Sequence, residues 1–185
     1  MTYNTAYPTP QRADTGAARD GILFLSIIVT GLLAGVFADW SNTIMPGLGD
    51  LDDRTFVLAF QSLDDAINNP LFLGAFTVAP LLIALCAVLR WRTGRRAMLW
   101  WILGGLLSYV VVALITFGVH LPLNEDIGAV GRPENAAAAA AARDQLDEAA
   151  WTTWNTVRAL AATLSFGCLV LAFGLRNQSR PLSSR

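Results

Sequence analysis

The chain contains no lysine, one histidine and two cysteines in 185 residues, and only 15% of it is charged. Each shortage closes off a class of chemistry. A single histidine with no cysteine beside it supplies too few ligands for a zinc or copper centre, and bis-histidine haem within one chain is excluded. Cys86 and Cys168 form no C-x-x-C, so they read as small buried hydrophobes, with a disulfide conceivable only because they lie at similar predicted depth. No glycine-rich phosphate loop, nucleophile elbow or dinucleotide fingerprint occurs. No cofactor is expected and no metal site is assigned, although a hard cation between Asp39 and His120 stays open. Nucleic acid is not expected as a partner.

What the chain does have is apolar length. With 54% hydrophobic residues it is too greasy for a soluble domain of this size and reads as an integral membrane protein. A span needs about 20 apolar residues. Four segments meet that length: 22–40, 71–89, 98–119 and 151–175. The first is read as a retained span, because the preceding tail is polar and no small-residue cleavage pattern follows. The expected fold is all-α, a four-helix transmembrane bundle over residues 21–176 with a polar tail at 1–20 and a basic tail at 177–185. A transporter is disfavoured, since no inverted repeat or broken helix pair is visible.

All 13 basic residues are arginines, and their placement sets the expected orientation. Arg12 and Arg19 precede the first span, Arg90, Arg92, Arg95 and Arg96 separate the second and third, and Arg176, Arg180 and Arg185 follow the fourth. By the positive-inside rule both termini are cytoplasmic, and the two acid-rich connections face out from the cell membrane. In the first connection, MPGLG is read as a turn, and the Asp50–Asp53 cluster offers N-caps for an amphipathic helix at about 53–67, its stripe being Phe56, Phe60, Leu63 and Ile67. In the second, an alanine run predicts a helical extension at about 134–150, continuous with the fourth span and supported by Arg143 and Asp147 at four-residue spacing. Together the two helices would form a small cap on the outer side. Gly31 and Gly35 form a G-x-x-x-G suited to close packing within the bundle or to a homo-oligomer seam.

The functional candidates gather at the predicted outer mouth. His120 ends the third span in HLPLN, read as a Pro-Leu-Asn turn, and Tyr109, Thr116 and His120 share one helical face. Trp151, Asn155 and Arg158 share a face of the fourth helix, with Trp154 four residues before Arg158. A charged side chain at mid-bilayer costs about 2.5–3.5 kcal/mol, so Arg158 either snorkels to the headgroups or turns inward to a partner such as His120, Asn124, Asp39 or Gln61. One base, one cation, several amides and flat aromatic walls suit a planar apolar substrate with a carbonyl or enolate oxygen.

These motifs carry a resemblance. GLLAGVFADWSNTIMPGL, the Asn-Pro opening the second span, HLPLN, and W-x-x-x-N-x-x-R opening the fourth are similar to the anthrone oxygenase-like family of four-span membrane proteins. The resemblance implies a cofactor-independent monooxygenase that oxidises a small hydrophobic aromatic with molecular oxygen. His120, Asn124, Asn155 and Arg158 would be its catalytic residues, and Trp40, Trp154, Gln61 and Asp39 would bind the substrate. In that chemistry His120 removes an acidic benzylic proton and Arg158, with Asn155 or Asn124, stabilises the oxyanion. The competing expectation is a non-catalytic membrane protein whose cap binds a lipid or protein partner.

Overall fold

The computed structural model describes residues 13–177. Eight α-helices are present among them: α1 (Ala13–Asp39), α2 (Met45–Gly49), α3 (Asp53–Ile67), α4 (Pro70–Trp91), α5 (Arg96–Ile115), α6 (Leu121–Ala129), α7 (Ala136–Leu146) and α8 (Glu148–Gly174). Helix α1 begins at Ala13, so residues 13–20 of the segment expected to be a polar tail are helical; residues 1–12 and 178–185 lie outside the described region, as do the expectations for Arg12, Arg180 and Arg185. Four helical runs are long and apolar enough to cross a membrane: Gly16–Gly49, Pro70–Trp91, Arg96–Ala129 and Ala136–Gly174. The protein is an all-α, multi-pass membrane protein.

The four long helices alternate in direction and close around an apolar core that includes Leu23, Phe37, Ile83, Ile102, Tyr109 and Leu169. Helix α8 packs most extensively, against α5 and α1. Small residues permit the approach. A Cβ on Gly105 would lie 3.3 Å from Leu169 and from the Ser165 carbonyl, and the Ser165 hydroxyl donates to the Gly105 carbonyl at 2.8 Å. Gly31 faces Phe166, so half of the G-x-x-x-G serves packing inside the bundle. Large apolar side chains such as Leu32, Leu107 and Leu160 remain exposed, as a lipid-facing surface requires. At one end Arg90 pairs with Asp20, and Arg95 donates to the Arg176 carbonyl at 2.6 Å. Cys86 and Cys168 are both buried and free; Cys86 faces Ser26, whereas Cys168 faces Gly104.

At the other end a second core forms from Trp40, Met45, Phe56, Phe60, Leu146 and Trp151. Helix α3 contributes Phe56, Val57 and Phe60; Leu63, expected in its apolar stripe, is 37% exposed. Asp52 caps α3, accepting from the Thr55 N–H at 3.2 Å and its hydroxyl at 2.6 Å, and this bond holds the exposed carboxyl below the ordinary carboxylate range. Asn69 caps α4, its side-chain oxygen accepting from Leu71 and Phe72, with Pro70 at the first helical position.

Four local expectations are corrected here. The extension before the fourth span is not continuous with it, because Asp147 adopts a left-handed conformation with φ 49° and caps α8 by accepting from Ala150. Arg143 therefore does not pair with Asp147. Its guanidinium instead binds Asp53 at 3.2 Å, Glu148 at 2.9 Å and the carbonyls of Gly49 and Leu51, and it stacks over Phe56. Met45–Gly49 is helical, and HLPLN is no turn, since the helix continues through it as α6.

The last two corrections share a cause. Each segment follows a π-helical turn, Trp40–Ile44 before α2 and Thr116–His120 before α6. In each, a proline is the second residue after the turn, Pro46 and Pro122. A proline inside a helix has no N–H to donate and its ring crowds the carbonyl four residues back. Widening the preceding turn relieves the crowding: the Met45 N–H reaches the Trp40 carbonyl and the Leu121 N–H reaches the Thr116 carbonyl, five residues back in both cases. The helix survives, but every later residue is rotated by roughly 100° from where a regular repeat would put it.

Candidate functional site

Trp40 and His120, which belong to the two π turns, both pack against Trp151, and beside them the helix ends do not fill space. A cavity of about 470 Å³ lies there, walled by Phe37 and Trp40 from the first helical run, Asp64 from α3, Phe72 from α4, Thr116, His120 and Asn124 from the third run, and Trp151 and Arg158 from α8. Its size falls in the range of roughly 300–1,000 Å³ typical of small-ligand sites.

His120 is 2% exposed. Its Nδ1 faces the Ile115 carbonyl at 3.4 Å, which directs the ring hydrogen to that nitrogen, and its Nε2 has no hydrogen-bond partner among the described residues. The Trp151 indole meets the imidazole edge to face, with centroids 4.7 Å apart. A buried nitrogen without a partner is costly in a finished core, and this one belongs to a residue that lines the cavity.

Arg158 is 7% exposed and turned inward, so the snorkelling alternative does not hold. Its Nε and Nη2 donate to the Asn155 side-chain oxygen at 3.1 and 2.5 Å, Nη1 reaches the Thr116 hydroxyl at 3.4 Å, and the guanidinium lies over the Phe37 ring at 4.3 Å. Asn155 is itself fixed, donating to the Phe37 carbonyl at 2.8 Å and to the Ser41 hydroxyl at 2.6 Å. It does not line the cavity. Its side-chain oxygen is taken up by Arg158 and its NH₂ group by Phe37 and Ser41.

Asn124 does line the cavity and links two helices. It accepts from the Trp151 indole N–H at 2.9 Å and donates to Asp64 at 2.6 Å. Burial is the largest influence on the Asp64 carboxyl and lifts it above the usual carboxylate range; the Asn124 hydrogen bond opposes this, Asp65 adds to it and Arg158 opposes it. Asp64 did not figure among the candidate residues read from the sequence, and Trp151 was placed on the face of Asn155 and Arg158 without a role of its own.

Of the four expected substrate-binding residues, Trp40 lines the cavity. Gln61 does not; it donates to the carbonyls of Ile127 and Gly131 and borders a smaller recess of about 110 Å³ that shares Asp64 and Asn124 with the main cavity. Trp154 is 45% exposed on the outer surface of α8, and Asp39 is exposed on α1. Neither lines the cavity, so Asp39 and His120 are not brought together as ligands for one cation. Among the described residues no group of three or more potential metal-ligating side chains occurs.

A match to the family described as anthrone oxygenase covers residues 68–168, more than half of the chain. The chain belongs to the anthrone oxygenase family. No curated protein and no solved structure matches it. Within this anthrone oxygenase family member, the matched region carries His120, Asn124, Trp151, Asn155 and Arg158; Trp40 and Asp64, which also line the cavity, come from outside it.

Proposed function

We propose that this protein is a cofactor-independent monooxygenase that converts a planar, enolisable aromatic ketone and dioxygen to a quinone and water. The observation that carries this reading is the unpartnered, buried Nε2 of His120, a residue that lines one cavity together with Arg158. With the hydrogen on Nδ1, Nε2 holds the lone pair and can take a proton from an acidic C–H. The resulting enolate places negative charge on oxygen, and Arg158, preorganised by Asn155, Thr116 and Phe37, is the cation that meets it. Trp40, Trp151 and Phe72 give flat apolar walls for the rings.

An electron-rich enolate reacts with dioxygen by giving up one electron. The radical pair then combines to form a C–O bond, and the peroxide oxygen takes the proton back from the imidazolium. No redox group of the protein is needed for this sequence. The arginines at the Asp20–Arg90 end support an orientation with that end and both termini in the cytoplasm, and with the cavity at the opposite, outer face. A hydrophobic substrate would then reach the cavity from the outer leaflet.

The test is oxygen uptake by the purified, detergent-solubilised protein with an anthrone, set against autoxidation of the same anthrone alone. Uptake above that background which His120→Ala abolishes supports the proposal. Equal uptake with and without protein refutes it for this substrate class, and turnover that survives His120→Ala refutes the base assignment.

A further inference from the structure

The first half of the proposed reaction ends at a hydroperoxide, and His120 is then neutral again. Completing it requires two proton movements at once. The second hydrogen on the same carbon must leave as a proton while its electron pair forms the C=O bond, and the O–O bond must break with the departing oxygen accepting a proton to leave as water. His120 can take the first proton. An imidazole that has returned its proton to the peroxide cannot also supply the second, so the cavity needs another acid.

Three carboxyl groups border the cavity: Asp64, Asp65 and Glu125. Asp65 and Glu125 are exposed, and no hydrogen bond among the described residues fixes either side chain. Asp64 is half-buried and aimed, with one carboxyl oxygen held by Asn124 at 2.6 Å and the other free of protein hydrogen bonds among the described residues. Trp151 and Asn124 run along the wall between Asp64 and His120, so the two groups reach into one cavity from separate positions. Asp64 also borders the 110 Å³ recess beside Gln61 and Gly128, which gives water a second place to stand on the far side of the carboxyl. The charged and titratable groups around Asp64 are Asp65 on its own helix, Glu125 on α6, His120 at the end of the third run's π turn and Arg158 on α8.

We infer that Asp64 is the general acid of the second half-reaction, protonating the oxygen that leaves as the O–O bond breaks, while His120 removes the remaining C–H proton. This rests on the oxygenase reading above. The step balances: the C–H electron pair becomes the second bond of C=O, the O–O pair departs on hydroxide, and the Asp64 proton turns that hydroxide into water. The imidazolium proton then returns to Asp64 through water in the main cavity, which both residues line, and the sum is one substrate CH₂ and one O₂ giving one C=O and one H₂O.

The experiment follows oxygen consumption and quinone absorbance together, with full-length protein and an anthrone as probe. Asp64→Asn keeps the acceptor for Asn124 and the shape of the wall, but it has no acidic proton. Oxygen uptake is expected to continue in this variant while quinone formation slows by about tenfold or more. The hydroperoxide that accumulates is trapped by a phosphine, which is oxidised as the hydroxy compound forms. Asp64→Glu restores coupling at least in part. Asn124→Ala, which keeps the carboxyl but removes the bond that aims it, shows the same split to a smaller degree and serves if Asp64→Asn does not fold. Uptake and quinone falling in step, or both unchanged, overturns the role of Asp64 alone. Wild-type uptake no greater than autoxidation overturns the oxygenase reading, and this inference with it.

Discussion

The two ends of the bundle are closed by different means. At the Asp20–Arg90 end the helices meet through Leu, Ile, Ala and Gly; the Ser26 and Ser165 hydroxyls have nearby partners, while Thr30 Oγ1 and Arg176 Nη1 have none among the described residues. At the Trp40–Trp151 end the core is aromatic, short helices are packed between the long ones, and the unpartnered atom, His120 Nε2, belongs to a residue that lines a cavity. Close packing of small residues serves association in a bilayer, where lipid is as apolar as the side chains and only fit distinguishes them. Large rings held apart by irregular turns leave a space. One end is built to be filled, and the other to be occupied.

That contrast can be broken at several points. His120→Ala is expected to lower oxygen uptake at least 100-fold while thermal melting in detergent stays near wild type, since the imidazole has no strong protein hydrogen bond to lose; unchanged uptake would erase the distinction between the ends. Arg158→Lys keeps the charge but loses the planar fork that Asn155 holds, and a fall in kcat of about 100-fold is expected. Arg143→Leu should act on stability alone. It leaves the Gly49 and Leu51 carbonyls without their donor and removes two ion pairs, for a loss of roughly 2 kcal/mol read as a lower melting temperature, with activity per folded molecule retained.

Smaller effects sharpen the same comparison. Gly105→Ala forces a methyl to within 3.3 Å of Leu169 and a carbonyl, costing about 1 kcal/mol in melting with no change in kcat or KM. Asp64→Asn should have the opposite sign. Because the folded carboxyl titrates above its unfolded value, its contribution to stability is present below the unfolded pKa and is lost as pH rises through the folded one. The amide should therefore melt higher than wild type at neutral pH, with the difference vanishing as pH falls below the ordinary carboxylate range. A constant difference across pH would mean the carboxyl titrates normally.

The spans were legible because their signal is additive over about 20 residues and tolerates local error. So was the inward face of α8, where a buried arginine at mid-helix demands partners and Asn155 stands one turn away. Trp154 and Trp151 could not be told apart by the same logic, since both lie near Arg158 in helical spacing and only packing against Trp40 and Phe60 decides that Trp151 is inside. Asp64 was invisible for a different reason. It joins the cavity through Asn124, 60 residues away in sequence, and no local pattern announces such a contact. The break at Asp147 was hidden because an aspartate that adopts positive φ looks, in sequence, like any other polar residue on an exposed helix.

The two prolines that follow the π turns act as phase shifts in a repeating text. Upstream of each, a residue's position in the helical repeat tells which way it faces; downstream, the same count is one place out of step. A bundle that would otherwise seal along its whole length is thus forced out of register on two diagonally placed walls, and the cavity lies beside both. Such a hollow is written into the backbone and precedes any choice of the side chains around it. Relatives could therefore exchange the rings and amides that line it, and with them the molecules it accepts, without inventing the space again.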